Sequence, residues 1–227
     1  MKHLVIKQLW PVVGLCLLFS CAKEPSFNYP EGTVGISKVV NFPSVAIKGE
    51  RLIIQNQGVA YTEPGVEAFL QGQTVQYATS GTVDANTPGV YELVYSASSP
   101  DGYSASDWRT VVIMSTAADV TSNNYAGTYK RDQNGLNMVW TKTGRGLYDV
   151  ENPGGADAGV GFVVKLVNYQ GSKIAIPKQQ AYDPSISGLN TIKSTSEVYR
   201  PAAVPVTVDW ILQAGGYGTG LRTFKKL

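Results

Sequence analysis

Histidine occurs once in the 227 residues and cysteine twice, at Cys16 and Cys21. That supply cannot build a Cys/His zinc site, and it leaves little material for imidazole or thiol catalysis. Two cysteines are also too few for a disulfide-framed chain. Charge is scarce at 16% of residues, and 19 Lys and Arg against 17 Asp and Glu give a formal charge of +2. Such a balance is no nucleic-acid footprint. No stretch in residues 36–115 carries a helical apolar period, and the apolar run at residues 9–19 is too short for a comfortable membrane span. What is plentiful is glycine (24), tyrosine (13) and β-branched residues, a composition of strands and turns. The length is ample for one large domain or two ordinary ones with buried cores.

The first residues read as an address. Lys2 and Lys7 precede the apolar run, and no acid accompanies them. A positive start followed by a short apolar stretch is a secretory signal peptide, here assigned to residues 1–20. The run ends in Leu18-Phe19-Ser20-Cys21, which resembles a bacterial lipobox. The resemblance implies cleavage before Cys21, lipidation of its thiol and acylation of the new N-terminus. Lys2, Lys7, His3 and Cys16 then leave with the leader. The basic count falls from 19 to 17 and equals the acidic count. The mature chain has no histidine, and its cysteine is the lipid anchor. Acid/base chemistry would fall to carboxylates, Lys or Tyr. Ala22, Lys23 and Glu24 resemble the surface-export signal of Bacteroidota lipoproteins, with one acid where that pattern has two or more. The resemblance implies the outer membrane and its outward face. Pro25, Pro30, Gly32 and Gly35 mark residues 21–35 as a tether.

Residues 36–117 carry short β-branched and aromatic runs between turn signals. Strands are expected at 36–42, 45–47, 52–54, 73–78, 89–96 and 109–114. Five to seven short strands in about 80 residues fit an immunoglobulin-like β-sandwich. Tyr91 follows Pro88-Gly89 at the start of a late strand, where a tyrosine corner bonds its hydroxyl back to the corner backbone. The segment Tyr61-Thr62-Glu63-Pro64-Gly65-Val66, with Val83-Asp84, Pro88-Gly89, Tyr91, Tyr95, Asp101-Gly102 and Arg109-Thr110-Val111-Val112 in order, resembles the Ig-like domain of Bacteroidota surface proteins. That resemblance implies a spacer or presentation module without catalytic residues. Tyr103 and Trp108 depart from it, in a loop where small residues are usual.

After a small, polar boundary at 116–124, residues 124–227 read as a second all-β domain. Strands are expected at 127–132, 136–143, 146–151, 160–168, 173–179, 189–199, 204–213 and 220–226, an antiparallel meander able to close into an eight-stranded barrel. Such a barrel holds one small ligand or is filled by side chains. Gly127-Thr128-Tyr129, Gly146-Leu147-Tyr148, Gly154-Gly155, Ile174-Ala175-Ile176-Pro177, Val208-Asp209-Trp210 and Arg222-Thr223-Phe224-Lys225-Lys226 resemble the C-terminal domain of lipoproteins from glycan-utilisation loci. That resemblance implies a cell-surface system that captures polysaccharide or oligosaccharide.

Sugar sites use aromatic faces with a few polar partners. Four residues qualify as ligand-binding candidates. Tyr182 and Tyr217 lie in turn-like segments beside polar groups. Tyr148 shares a strand face with Val150. Trp140 alternates with Met138, a pattern more often found in a core than in a binding face, as is that of Trp210 between Val208 and Leu212. The run 215–220 is glycine-rich, but it leads to a terminal strand rather than a helix N-terminus, so no nucleotide site follows. Asp149 and Glu151 fall on one strand face, the arrangement a glycosidase would need, yet they precede Asn152-Pro153-Gly154-Gly155 and read as a solvated strand end. No catalytic residue, metal ligand or cofactor is assigned. Three functions stay open: a glycan-binding surface lipoprotein, a subunit packing on an outer-membrane transporter complex, and an enzyme using carboxylates. The anchor is directly testable. Cys21→Ser should abolish the lipid mass increment and move the protein from the membrane to the soluble fraction, read by mass spectrometry and fractionation.

Overall fold

The computed structural model describes residues 30–34 and 37–227. The segment expected as signal peptide, Cys21 and most of the expected tether lie outside the described residues. Residues 41–227 form one compact unit, separate from those before them. Ahead of it, β1 (Thr33–Val34) and β2 (Ser37–Lys38) make a short antiparallel ladder, so the strand expected over 36–42 is reduced to Ser37–Lys38.

Within the compact unit, the first part builds two sheets. β3 (Ser44–Ile47), β5 (Val66–Leu70) and β6 (Gln73–Thr74) form one, in the order β3-β5-β6. β4 (Leu52–Asn56), β7 (Ala78–Ser80), β8 (Gly89–Ser98) and β9 (Ser104–Met114) form the other, in the order β4-β9-β8-β7. β4 runs parallel to β9, and the other pairings are antiparallel. Leu93, Tyr95, Val111 and Ile113 alternate inward and meet Val45, Ile47 and Val66 between the sheets. Tyr91 makes the expected corner, its hydroxyl donating to Thr87 O at 2.7 Å.

A buried polar knot holds this sandwich. Arg109 is fully buried, and its guanidinium donates to the carbonyls of Glu50 and Lys48 and to Glu63 Oε1. Glu63 also accepts from the hydroxyls of Tyr61 and Tyr95 and from Gly65 N at 3.1 Å. Burial pushes the Glu63 carboxyl up, but the hydrogen bonds from Tyr61, Tyr95, Gly65 and Arg109 outweigh it and hold it below its ordinary value. The Tyr95 hydroxyl is pushed up to about 12, by burial and then by its bond to Glu63.

The second part is a single nine-stranded antiparallel sheet curled into a half-barrel. A short helix, α1 (Ala118–Ser122), occupies the boundary where only coil was expected. The strands are β10 (Gly127–Arg131), β11 (Asn137–Gly144), β12 (Leu147–Glu151), β13 (Val163–Gln170), β14 (Lys173–Ala175), β15 (Gln179–Asp183), β16 (Gly188–Arg200), β17 (Thr207–Gln213) and β18 (Leu221–Lys226). Their order is β14-β13-β12-β11-β10-β18-β17-β16-β15. Nine strands replace the expected eight because the stretch 173–179 is cut at Pro177, which has no N–H to give a ladder.

The two edges of the curl meet through side chains. Gln179 behaves as an extra peptide unit: Lys165 N donates to its Oε1 at 2.8 Å, and its Nε2 donates to Lys165 O at 2.7 Å. Beside it, Ser194 N donates to Ile176 O at 2.9 Å, and Ile176 N donates to Ser194 Oγ at 2.7 Å. The concave face is filled. Trp140 and Trp210 stack at 5.8 Å and 8°, with Tyr129 4.8 Å from Trp140 and Phe224 5.8 Å from Trp210. Tyr125, Tyr148, Phe162 and Tyr199 complete this aromatic interior.

The boundary between the two parts is itself a core. Val112 and Met114 of β9 pack with Val120, Val167 and Ala175, flanked by Leu52, Ile54 and Leu147. Ser115 N donates to Tyr169 O at 2.8 Å, Arg145 reaches Ser115 O and Asn56 Oδ1, and Lys193 pairs with Glu92 at 2.7 Å. Trp108 is held between Arg51 and Lys178, 5.0 and 4.5 Å from its ring.

Two outcomes check this architecture. Glu63→Ala leaves Arg109 buried without its acid and should destabilise the fold by about 3–5 kcal/mol in urea unfolding at pH 7. Because the Glu63 carboxyl is lowered on folding, the stability it confers is complete above the ordinary carboxylate range. It is lost as pH falls through the lowered value, so the gap between the parent and the variant should narrow as pH falls below the ordinary carboxylate range. Trp140→Ala opens the barrel interior and should cost about 3–5 kcal/mol by the same measurement.

Candidate functional site

The meander places alternate loops at one end of the barrel. Residues 132–136, 152–162, 184–187 and 214–220 gather there, while 144–146 lies at the other end, where Arg145 is bonded to the Ig-like part. The first set forms the mouth. Trp210 Nε1 donates to Pro153 O at 3.0 Å, so the aromatic interior fixes the long 152–162 loop from below. Asn152 braces the same loop, donating to Asn137 O at 3.0 Å and accepting from Ala156 N at 2.9 Å.

Two arginines cap the aromatic layer. On β18, Phe224 faces inward, and two residues earlier Arg222 takes the same side at the rim, 6% exposed. On β10, Tyr129 faces inward and Arg131 follows on its side, opposite Phe224 in the β10–β18 register. Arg131 Nη1 donates to Gly154 O and Gly155 O at 3.0 and 3.2 Å, and its Nε to Gln133 Oε1 at 3.1 Å. Arg222 donates to Gly220 O at 3.1 Å and to Tyr217 O, while its Nε is buried without a partner. Burial lowers the Arg222 guanidinium below its ordinary value, and the charge of Arg131 adds to the effect.

Tyr217 forms one wall. Its ring lies 5.8 Å from Phe162 and rests over Gly154, where an added Cβ would approach the ring to 2.5 Å. Gly155, at φ 53°, is similarly closed by Arg131 and Phe224, with contacts of 2.9 and 2.8 Å for an added Cβ. The Gly154-Gly155 pair therefore seats both the tyrosine and the arginine. The Tyr217 hydroxyl is buried and without a partner, and it is pushed up to about 12 by burial and then by the charge of Asp183. With Ser185 and Ile186 of the β15–β16 hairpin, these groups enclose a cleft of about 500 Å³.

The acids around the mouth are engaged elsewhere. Asp183 is buried, where desolvation raises its carboxyl. Bonds from Ser185 and Asn190 more than reverse this and leave the carboxyl below its ordinary value. Asp132 pairs with Lys225 at 3.0 Å, and Glu151 accepts from Gly161 N at 3.2 Å. A second cleft, of about 550 Å³, lies along the junction between Leu52 and Gln180, and its two cations are paired: Arg51 with Asp107 and Lys165 with Asp149. At the mouth two buried donors, Tyr217 Oη and Arg222 Nε, are left without a partner.

Of the four candidates read from sequence, Tyr217 lines this cleft. Trp140 and Tyr148 do not present a face to solvent: they are 1% and 0% exposed, inside the aromatic interior, and Tyr148 donates to Asn123 O at 3.2 Å. Alternation alone leaves the inner and outer faces of a curled sheet equivalent, and closure assigned both rings inward. Tyr182 is 59% exposed on the outer wall, cross-strand from Leu189, and outside the cleft. Asp149 and Glu151 sit on the outer face with the partners given above. Arg131 and Arg222 were not singled out from sequence, although each stands two residues from an inward aromatic, Tyr129 and Phe224. Among the described residues, no group of three or more His, Cys, Asp or Glu is placed to hold a metal ion.

Residues 45–113, which span β3 to β9, match the sequence model of a family described as bacterial surface protein, Ig-like domain. A crystal structure of a lipoprotein from Bacteroides thetaiotaomicron is similar at 22% identity, over 82% of this chain and 100% of that chain, with a TM-score of 0.38. No curated protein matches the sequence. The first part of the compact unit is thus an Ig-like sandwich similar to the bacterial surface-protein Ig-like family, followed by a curled nine-stranded antiparallel sheet.

Proposed function

We propose that the chain is a non-catalytic lipoprotein of the outer membrane, anchored through Cys21 and facing outward. The Ig-like part carries, and the C-terminal barrel binds, an oligosaccharide or polysaccharide. The observation that supports this reading is the mouth cleft. It combines an aromatic wall, Tyr217, with buried donors that no protein group satisfies, Tyr217 Oη and Arg222 Nε. Its size of about 500 Å³ suits a ligand of one or two sugar units, within the ~300–1,000 Å³ of ordinary small-molecule sites. The Ig-like domain acts as a spacer, and the mouth lies at the end of the barrel away from the loop that Arg145 bonds to it. The reading is non-catalytic because the groups facing the cleft are donors at neutral pH, and Asp183 beside them is tied to Ser185 and Asn190.

A second reading, a subunit of an outer-membrane transporter complex, has one observation in its favour. Tyr182, Ile186 and Leu189 stand 59%, 58% and 66% exposed around a single hairpin, a small apolar patch suited to a protein partner.

Affinity gel electrophoresis of the full chain in detergent, against a panel of polysaccharides, separates the two. The glycan reading expects retardation by at least one polysaccharide, weakened at least about tenfold by Tyr217→Ala and unchanged by Tyr182→Ala. Absence of retardation by every glycan, with co-purification of a transporter that Leu189→Asp abolishes, would establish the second reading instead.

A further inference from the structure

We infer that the barrel mouth takes an anionic sugar, its carboxylate or sulfate held between Arg131 and Arg222; this rests on the glycan reading above. Two guanidinium groups line one cleft, and among the described residues neither has a carboxylate partner. Arg222 is 6% exposed, so its charge is largely withdrawn from water. A buried charge without a counter-ion is unfavourable, and the protein compensates it with neutral groups, the carbonyls of Gly220 and Tyr217 and the Tyr217 ring 6.0 Å from the guanidinium carbon. The nearby acids do not serve. Asp132 is committed to Lys225, Glu151 to Gly161 N and Asp183 to Ser185 and Asn190.

An oxyanion answers this arrangement. It forms a charge-assisted bond with the partly exposed Arg131 guanidinium and neutralises the repulsion between the two arginines that line the cleft. Tyr217, which lines the same cleft, adds an aromatic wall for the sugar's C–H groups. A neutral sugar of the same shape fills the cleft but leaves the guanidinium pair uncompensated. Sites built for a polar group reject ligands that lack it far more strongly than apolar pockets reject a missing methylene. The mouth should therefore discriminate by charge.

Isothermal titration calorimetry of the full chain in detergent tests this with three probes of equal length: a galacturonate oligosaccharide, its neutral galactose counterpart and a sulfated galactose oligosaccharide. The inference expects at least one acidic probe to bind at least about tenfold tighter than the neutral one, with the tighter of the two identifying the oxyanion. Arg131→Gln, at the partly exposed rim, should lower acidic binding at least about tenfold and leave the circular dichroism melt near that of the parent. Arg222→Lys keeps the charge but loses the fork and should weaken acidic binding as well. Equal binding of acidic and neutral probes, or acidic binding unchanged in Arg131→Gln, overturns the inference and leaves the glycan reading standing. Absence of binding by all three probes, together with no retardation on any polysaccharide gel, removes both.

Discussion

The barrel depends on one side-chain amide. A nine-stranded sheet broken at Pro177 has two edges, and exposed edges invite pairing with other chains. Gln179 lies at that break, 5% exposed, and completes the missing rung on Lys165 with both of its polar ends. A carboxylate in its place would keep the acceptor and lose the donor, and an apolar residue would leave Lys165 N and O unpaired in a buried seam. Once the edges are held together, the inward faces of all strands converge, and Trp140, Trp210, Tyr129, Tyr148 and Phe224 fill the interior. A filled barrel leaves its lumen to packing and its ends to recognition. The Arg131–Tyr217–Arg222 mouth follows from that order of events.

The Ig-like part is held by a different device. The knot of Glu63, Tyr61, Tyr95 and Arg109 is polar, with Tyr95 and Arg109 buried and the other two half-buried, and it joins the loop before β5 to the centre of β9. The same strand, three residues later, turns its other face toward the barrel through Val112 and Met114. β9 therefore serves two cores at once, with Val111 and Ile113 in the sandwich and Val112 and Met114 in the junction. This explains why a polar boundary at 116–124, which looks like a linker, is not one: α1 buries Val120 in that junction core.

Much of this was legible in the chain, and the gaps have physical causes. The alternation of Val208, Trp210 and Leu212, the turn before Tyr91 and the run of strands after 124 all follow from local period and turn chemistry. β5 was missed because Val66, Ala68 and Leu70 alternate with Glu67 and Phe69 too weakly to stand out beside the turn at Gly65. The strand expected over 173–179 became two because the pyrrolidine of Pro177 weighs more than the apolar run around it. Of the site, the glycine run around Tyr217 was visible as a loop, but Arg131 and Arg222 were not. A charged residue at the end of an inward series reads as a strand end in solvent, and only the gathering of four loops over it shows that water is excluded. Tyr148 and Trp140 were ambiguous for the complementary reason: which face of an isolated strand becomes the inside is decided by the curl of the whole sheet.

The parallel pairing of β4 with β9 has a mechanical consequence. The chain reaches the sandwich ahead of β4, whose Leu52 is paired with Thr110, and leaves it after Met114, paired with Asn56. Tension that reaches β4 from its N-terminal side, after β3 has yielded, draws β4 and β9 along each other in opposite directions. All five rungs from Leu52 to Asn56 are then strained together in shear, whereas a hairpin pulled at its open end yields one rung at a time. A ligand large enough to drag in flow, held at the barrel, would thus load the strongest direction of the sandwich.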